Sequence, residues 1–169
     1  MKMFIVYVLS FAMALSMVAC GGYTAKEIAA ADTTPGENVQ IPNPWQECAG
    51  LEEAGKLAGF SFTAPESVDG YTEKYIAAIE NDIAQVIFSN EDGFKLYFRK
   101  GLGGDDISGD YNTYDVAEEQ TIDGKSVLCR GNDGLVYTAT WTDGTYAYAV
   151  MSDAGMDAEQ LSAWVQSLA

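Results

Sequence analysis

The segment from Lys100 to Asp115, KGLGGDDISGDYNTYD, sets four aspartates, Asp105, Asp106, Asp110 and Asp115, among the glycines at 101, 103, 104 and 109. Carboxylate oxygens on so pliable a backbone are the ligands calcium takes, and extracellular modules often hold that ion weakly. The spacing is not that of an EF-hand, and no glutamate closes the loop, so a solvated acidic loop is the competing reading. A second group is aromatic: Tyr137, Trp141, Tyr146 and Tyr148 flank Asp143-Gly144. A two-residue turn there sets Trp141 opposite Tyr146, and an exposed row of such rings would stack on a sugar or a partner. The alternative is that the rings pack beneath a helix.

Catalytic groups are scarce. The chain has no histidine, which removes the commonest general base at neutral pH, every His-dependent triad and any Cys/His metal site. No serine lies in a GxSxG or SxxK setting, and Cys48 and Cys129 have no imidazole to activate them. Carboxylates are plentiful, but glycoside hydrolysis needs two of them about 5 to 10 Å apart, and no pair is marked as special. The sequence therefore predicts no catalytic residues, with a hydrolase using paired carboxylates as the rival.

The first residues decide location. Lys2 gives a positive start, Met3 to Met17 is apolar, and a small residue, Ala19, precedes Cys20. The apolar run is short for a membrane span, which needs about 20 residues, and no basic cluster follows it. Met17-Val18-Ala19-Cys20 resembles the bacterial lipobox, whose cysteine receives a diacylglycerol and becomes the mature N-terminus. The reading is a lipoprotein signal peptide over 1–19, a lipidated Cys20 with a flexible tether over 20–42, and one α+β domain over 43–169. The expected place is the extracytoplasmic face of the cell membrane.

Beyond the signal, 8 basic residues face 25 acids, a balance of 8 − 25 = −17. Such a chain repels phosphate backbones and anionic lipid surfaces, so nucleic acid is not an expected partner. The expected partners are the membrane, through the lipid on Cys20, and an envelope protein or small ligand. Cys48 and Cys129 are an even pair in an exported chain, compatible with one disulfide, and two buried free thiols are the other reading of the same pair.

These residues need a scaffold. Leu51 to Ala58 reads as a short helix, with Glu52 and Glu53 in its first turn and Gly59 to end it. From there the period is two: YIAAI, IAQVIF, GFKLYFRK, KSVLCR, LVYTATW and YAYAV are strand candidates. Asp-Gly pairs at 69–70, 92–93, 123–124, 133–134 and 143–144 mark turns. Asp157 and Gln160 form a capping box ahead of a stripe of Leu161, Trp164, Val165 and Leu168. The sum is an antiparallel β-sheet meander of about five to seven strands, with a short N-terminal helix and a C-terminal amphipathic helix packed on it.

The stretch NPWQECAGLEEAGKLAGFSFTAPESVDGY, the W-x-D-G-x-Y hairpin and the closing helix together resemble an uncharacterised domain family of extracytoplasmic lipoproteins. Its members belong to Gram-positive, largely clostridial bacteria, and it is related to the outer domains of some anti-sigma factors. The resemblance covers about residues 43–169. It implies an α+β extracytoplasmic fold and a sensing role, and assigns no catalytic or ligand residue. The expected function is thus a surface-tethered, non-enzymatic binding or sensory domain. Replacing Cys20 by alanine should block processing and leave a precursor that incorporates no labelled lipid; ordinary diacylglyceryl labelling of that variant would refute the lipobox reading.

Overall fold

A computed structural model describes residues 43–169; the expected signal peptide over 1–19, Cys20 and the expected tether over 20–42 lie outside the described residues. The elements are β1 (Gln46–Glu47), α1 (Leu51–Ala58), β2 (Glu73–Ile79), β3 (Ile83–Ser89), β4 (Lys95–Leu102), β5 (Val116–Ile122), β6 (Lys125–Asn132), β7 (Leu135–Thr142), β8 (Tyr146–Met156) and α2 (Ala158–Ser167). All strands join one antiparallel sheet of eight, ordered β1-β2-β3-β4-β8-β7-β6-β5.

The sheet is wider than the expected five to seven strands, and it is not one continuous meander. The two strands beyond the six candidates are β1, which is too short to show a period, and β5, whose sequence VAEEQTI is exposed along most of its length. β5 is an edge strand, and its adjacent acids Glu118 and Glu119 discourage pairing with another chain. The topology is two meanders, β1 to β4 and β5 to β8, sewn together by pairing of β4 with β8. Because β5 sits at the far edge, the chain leaving β4 must cross β8, β7 and β6 to reach it, about 4.8 Å per strand. The thirteen residues 103–115 make that crossing.

Turn chemistry sets the register of the second meander. Asp123-Gly124 and Asp133-Gly134 each adopt positive φ at both residues, as a two-residue hairpin turn requires. At Asp143 the loop is longer: the Asp143 carboxylate accepts from the N–H groups of Thr145 and Tyr146, and β8 begins only at Tyr146. Trp141 consequently stands opposite Tyr148, two residues from the expected partner Tyr146.

One face of the sheet carries the core. Leu96 and Phe98 of β4, Val86 and Phe88 of β3, and Val150 of β8 are almost wholly buried there. α2 lays Leu161, Val165 and Leu168 on this face, with the half-buried Trp164 ring edge-on to Phe98 at 6.1 Å between centroids. Burying side chains of this size stabilises by about 1.5–3 kcal/mol each before entropy is subtracted. The helix starts at the expected capping box, with Gln160 N–H donating to the Asp157 carboxylate and Asp157 N–H to the Gln160 side chain. α1 ends at Gly59, in the left-handed region at φ 85°, also as expected. The last residue is tied down as well: the N–H groups of Thr63 and Ala169 each donate to the other's carbonyl.

Cys48 and Cys129 are both buried free thiols. Cys48 follows β1 at one edge, Cys129 lies in β6, and five strands stand between them. At about 4.8 Å per strand that gap far exceeds the roughly 7 Å a disulfide allows, so the bridge is ruled out on geometry. Burial and the nearby Glu118 push the Cys129 thiol up to about 11, which leaves it protonated and unreactive at neutral pH. Denatured but unreduced protein, starting at Gly21, should therefore titrate two thiols with a disulfide-exchange reagent, while the native protein should react far more slowly; a count of zero after denaturation would contradict this pairing geometry.

Candidate functional site

On the face of the sheet away from the helices, the 103–115 crossing roofs a cleft of about 420 Å³, floored by β4, β8 and β7. Alternation along β4 turns Leu96, Phe98 and Lys100 to the core and leaves Tyr97 and Arg99 for the cleft. Met151 and Asp153 of β8 and Thr138 of β7 complete the floor. Tyr114 and Tyr137 form one wall, stacked at 5.9 Å between centroids and 23° between planes.

Tyr137 reaches this wall through a register break. Simple alternation would put it beside Ala139 and Trp141, on the core face. Between Val136 and Thr138 the pairing with β8 shifts: Val136 faces Met156 while Thr138 faces Met151. That irregularity frees Tyr137 to turn to the other side. A second irregularity lies at Arg130/Gly131, where the backbones approach so closely that a Cβ on Gly131 would come within 1.9 Å of the Leu135 carbonyl oxygen.

The roof is held by polar contacts from the sheet. Arg99 Nη1 donates to the carbonyls of Ile107 (3.1 Å) and Ser108 (2.6 Å), while its Nε donates to Gln85 Oε1 (3.0 Å). Gly109, at φ 64°, packs directly over the guanidinium. Arg130 donates through Nη2 to Asp106 and to the Ser108 hydroxyl. Asp110 accepts from the Thr138 and Tyr114 hydroxyls and from the backbone and side-chain amides of Asn112. Asn132 accepts from Asp115 N–H where the roof runs down into β5. Tyr111, 96% exposed, stands at the outer tip.

The four aspartates are therefore not one ligand set. Asp106 is committed to Arg130, Asp110 to three neighbours and the Asp115 backbone to β6, while Asp105 is exposed. Among the described residues no three acids or cysteines gather where a metal would sit. Asp106 and Asp110 here fasten the loop to the sheet. The aromatic row also divides. Trp141 and Tyr148 are stacked at 5.3 Å and 7° and are only 6% and 7% exposed, and Tyr146 packs against Phe60, so these three belong to the core side. Tyr137 alone of the four faces the cleft.

Three residues with structural weight carry no motif. Arg99 and Tyr97 read only as the outer face of a strand. Lys100, 6% exposed, has its ammonium 4.3 Å from the centre of the Tyr146 ring and also over Phe60 and Tyr148. It donates to the Ser61 carbonyl at 2.8 Å, tying the segment after α1 to β4. The signal for the cleft was the length of the β4–β5 connection, since thirteen residues are more than a tight hairpin needs.

Compared with protein-family models, with curated proteins and with solved structures, the chain matches none.

Electrostatics of the roof yield a test. Burial pushes the Asp110 carboxyl up, but the donors from Thr138, Tyr114 and Asn112 outweigh it and hold the group below its ordinary value. A depressed carboxylate contributes stability that is complete above the unfolded pKa, about 3.9, and lost as pH falls through the lower folded value. Asp110→Asn should therefore melt below the parent at pH 7, with the gap narrowing as the pH drops under about 4. A gap that stays constant or widens on acidification would show that Asp110 does not act as a carboxylate acceptor here.

Proposed function

We propose that this chain is a surface-tethered lipoprotein whose α+β domain is a non-enzymatic binding or sensory module, with the cleft under the 103–115 crossing as its binding site. The observation that carries the reading is a polar, ring-lined cleft presenting Arg99, a guanidinium with no acid partner among the described residues. Clefts of a few hundred Å³ with a few convergent polar groups are where small molecules bind. The Met17–Cys20 motif supports attachment at the membrane, and the resemblance to outer domains of anti-sigma factors supports sensing.

The rival is a cell-envelope hydrolase working through paired carboxylates. Asp110 and Asp153 do line the same cleft. A general acid must hold its proton at working pH, which requires a raised pKa. Asp110 is shifted the other way, and this favours binding over hydrolysis.

The test is a melting-temperature screen of the chain from Gly21 onward against amino acids, peptides, sugars and nucleotides. Binding predicts a rise of several degrees with at least one class, removed by Tyr137→Ala, since a ligand in excess stabilises the state it binds. Release of soluble fragments from purified cell wall, lost in Asp110→Asn, would instead establish the hydrolase.

A further inference from the structure

The cleft holds opposite charges at its two ends. At one end is Arg99, whose Nε and Nη1 are committed to Gln85, Ile107 and Ser108. Its Nη2 makes no hydrogen bond among the described residues and is not sealed from solvent. The guanidinium is braced against the rings of Tyr97 (5.6 Å) and Trp45 (5.8 Å), so its direction is set in advance. At the other end is Asp153, fixed by Lys95 N–H donating to Oδ2 at 2.9 Å and joined to no cation among the described residues. Tyr97 lies between the two.

Spacing narrows the ligand. Asp153 is anchored beside Lys95, four positions along β4 from Arg99. Four strand residues span roughly 13 Å of backbone, and the long arginine side chain leaves Nη2 to meet a ligand within that distance. A single α-amino acid carries its two charges one carbon apart and bridges no such gap. An extended peptide of three residues spans about 10 Å.

Charge narrows it further. A phosphate or other polyanion must enter the field of a chain with a formal balance of −16, whereas a zwitterion carries no net charge and offers Asp153 an ammonium. A guanidinium with a free N–H recognises a terminal carboxylate through a charge-assisted hydrogen bond.

We propose that the cleft binds a short peptide of about three residues with both termini free, its carboxylate on Arg99, its ammonium at Asp153 and its middle over Tyr97. The side chains then meet the Tyr114–Tyr137 wall. The proposal rests on the reading of the domain as a binding module.

Isothermal titration of the chain from Gly21 onward tests it, with trialanine, N-acetyl-trialanine, trialanine amide, free alanine and inorganic phosphate as probes. Trialanine should bind, and blocking either end should weaken it about tenfold or more. Asp153→Asn keeps the acceptor for Lys95 N–H, so the strand pairing survives; it should weaken trialanine about fivefold or more while leaving the acetylated peptide unchanged. Arg99→Lys should weaken trialanine and the acetylated peptide alike. Equal binding of free and blocked peptides, phosphate binding tighter than trialanine, or no heat from trialanine up to about 10 mM would each overturn the proposal. If trialanine fails while another class raises the melting temperature in a Tyr137-dependent way, the peptide assignment falls and the binding reading survives. If no class does so, both fall.

Discussion

The pairing of β4 with β8 is the constraint on which the rest of the molecule depends. It places the second meander's first strand, β5, at the opposite edge of the sheet, and a chain that must get from the middle to the edge has to pass over one face. The helices and the segment around Phe60 and Phe62 occupy the core face, so the crossing takes the other. A roof over a sheet with polar floor residues leaves a cleft, and the cleft follows from the order of the strands.

A crossing of this kind has little apolar surface with which to hold itself down. Of its residues only Ser108 is buried, with Ile107, Asp110 and Tyr114 half-buried. Its attachment is polar: guanidinium groups from β4 and β6 take its carbonyls and one carboxylate, and a β7 hydroxyl takes another. Hydrogen bonds to charged groups are worth about 1.5–3 kcal/mol each, more than neutral ones, and here they replace the burial that fixes ordinary elements. The same contacts give Asp106 and Asp110 a part in fastening the loop.

Elements with a strong local signature were legible from sequence. α1 with its terminal glycine, α2 with its capping box, the six strands with apolar alternation and the two Asp-Gly turns of positive φ all lie where the residues place them. What escaped depends on partners distant in the chain. β5 has no apolar face because nothing covers it, so period gives no sign of it. Tyr137 has the parity of Trp141 but not its side of the sheet, since the break at Val136–Thr138 is a property of the pairing with β8. The Asp143 turn carries the same dipeptide as its neighbours, yet its carboxylate caps two N–H groups and lengthens the loop. Arg99 carries no motif within its strand, and only the path of the crossing makes it the centre of a cleft.

The mutual hydrogen bonds of Thr63 and Ala169 have a practical side. They park the final carbonyl beside the segment that follows α1, on the helix-bearing side of the sheet. A biotin or a fluorophore appended after Ala169 would emerge from that side, with the whole thickness of the sheet between it and the cleft. The molecule thus offers a natural handle: captured by its tail on a sensor surface, it would present the cleft outward, in the orientation that binding measurements need.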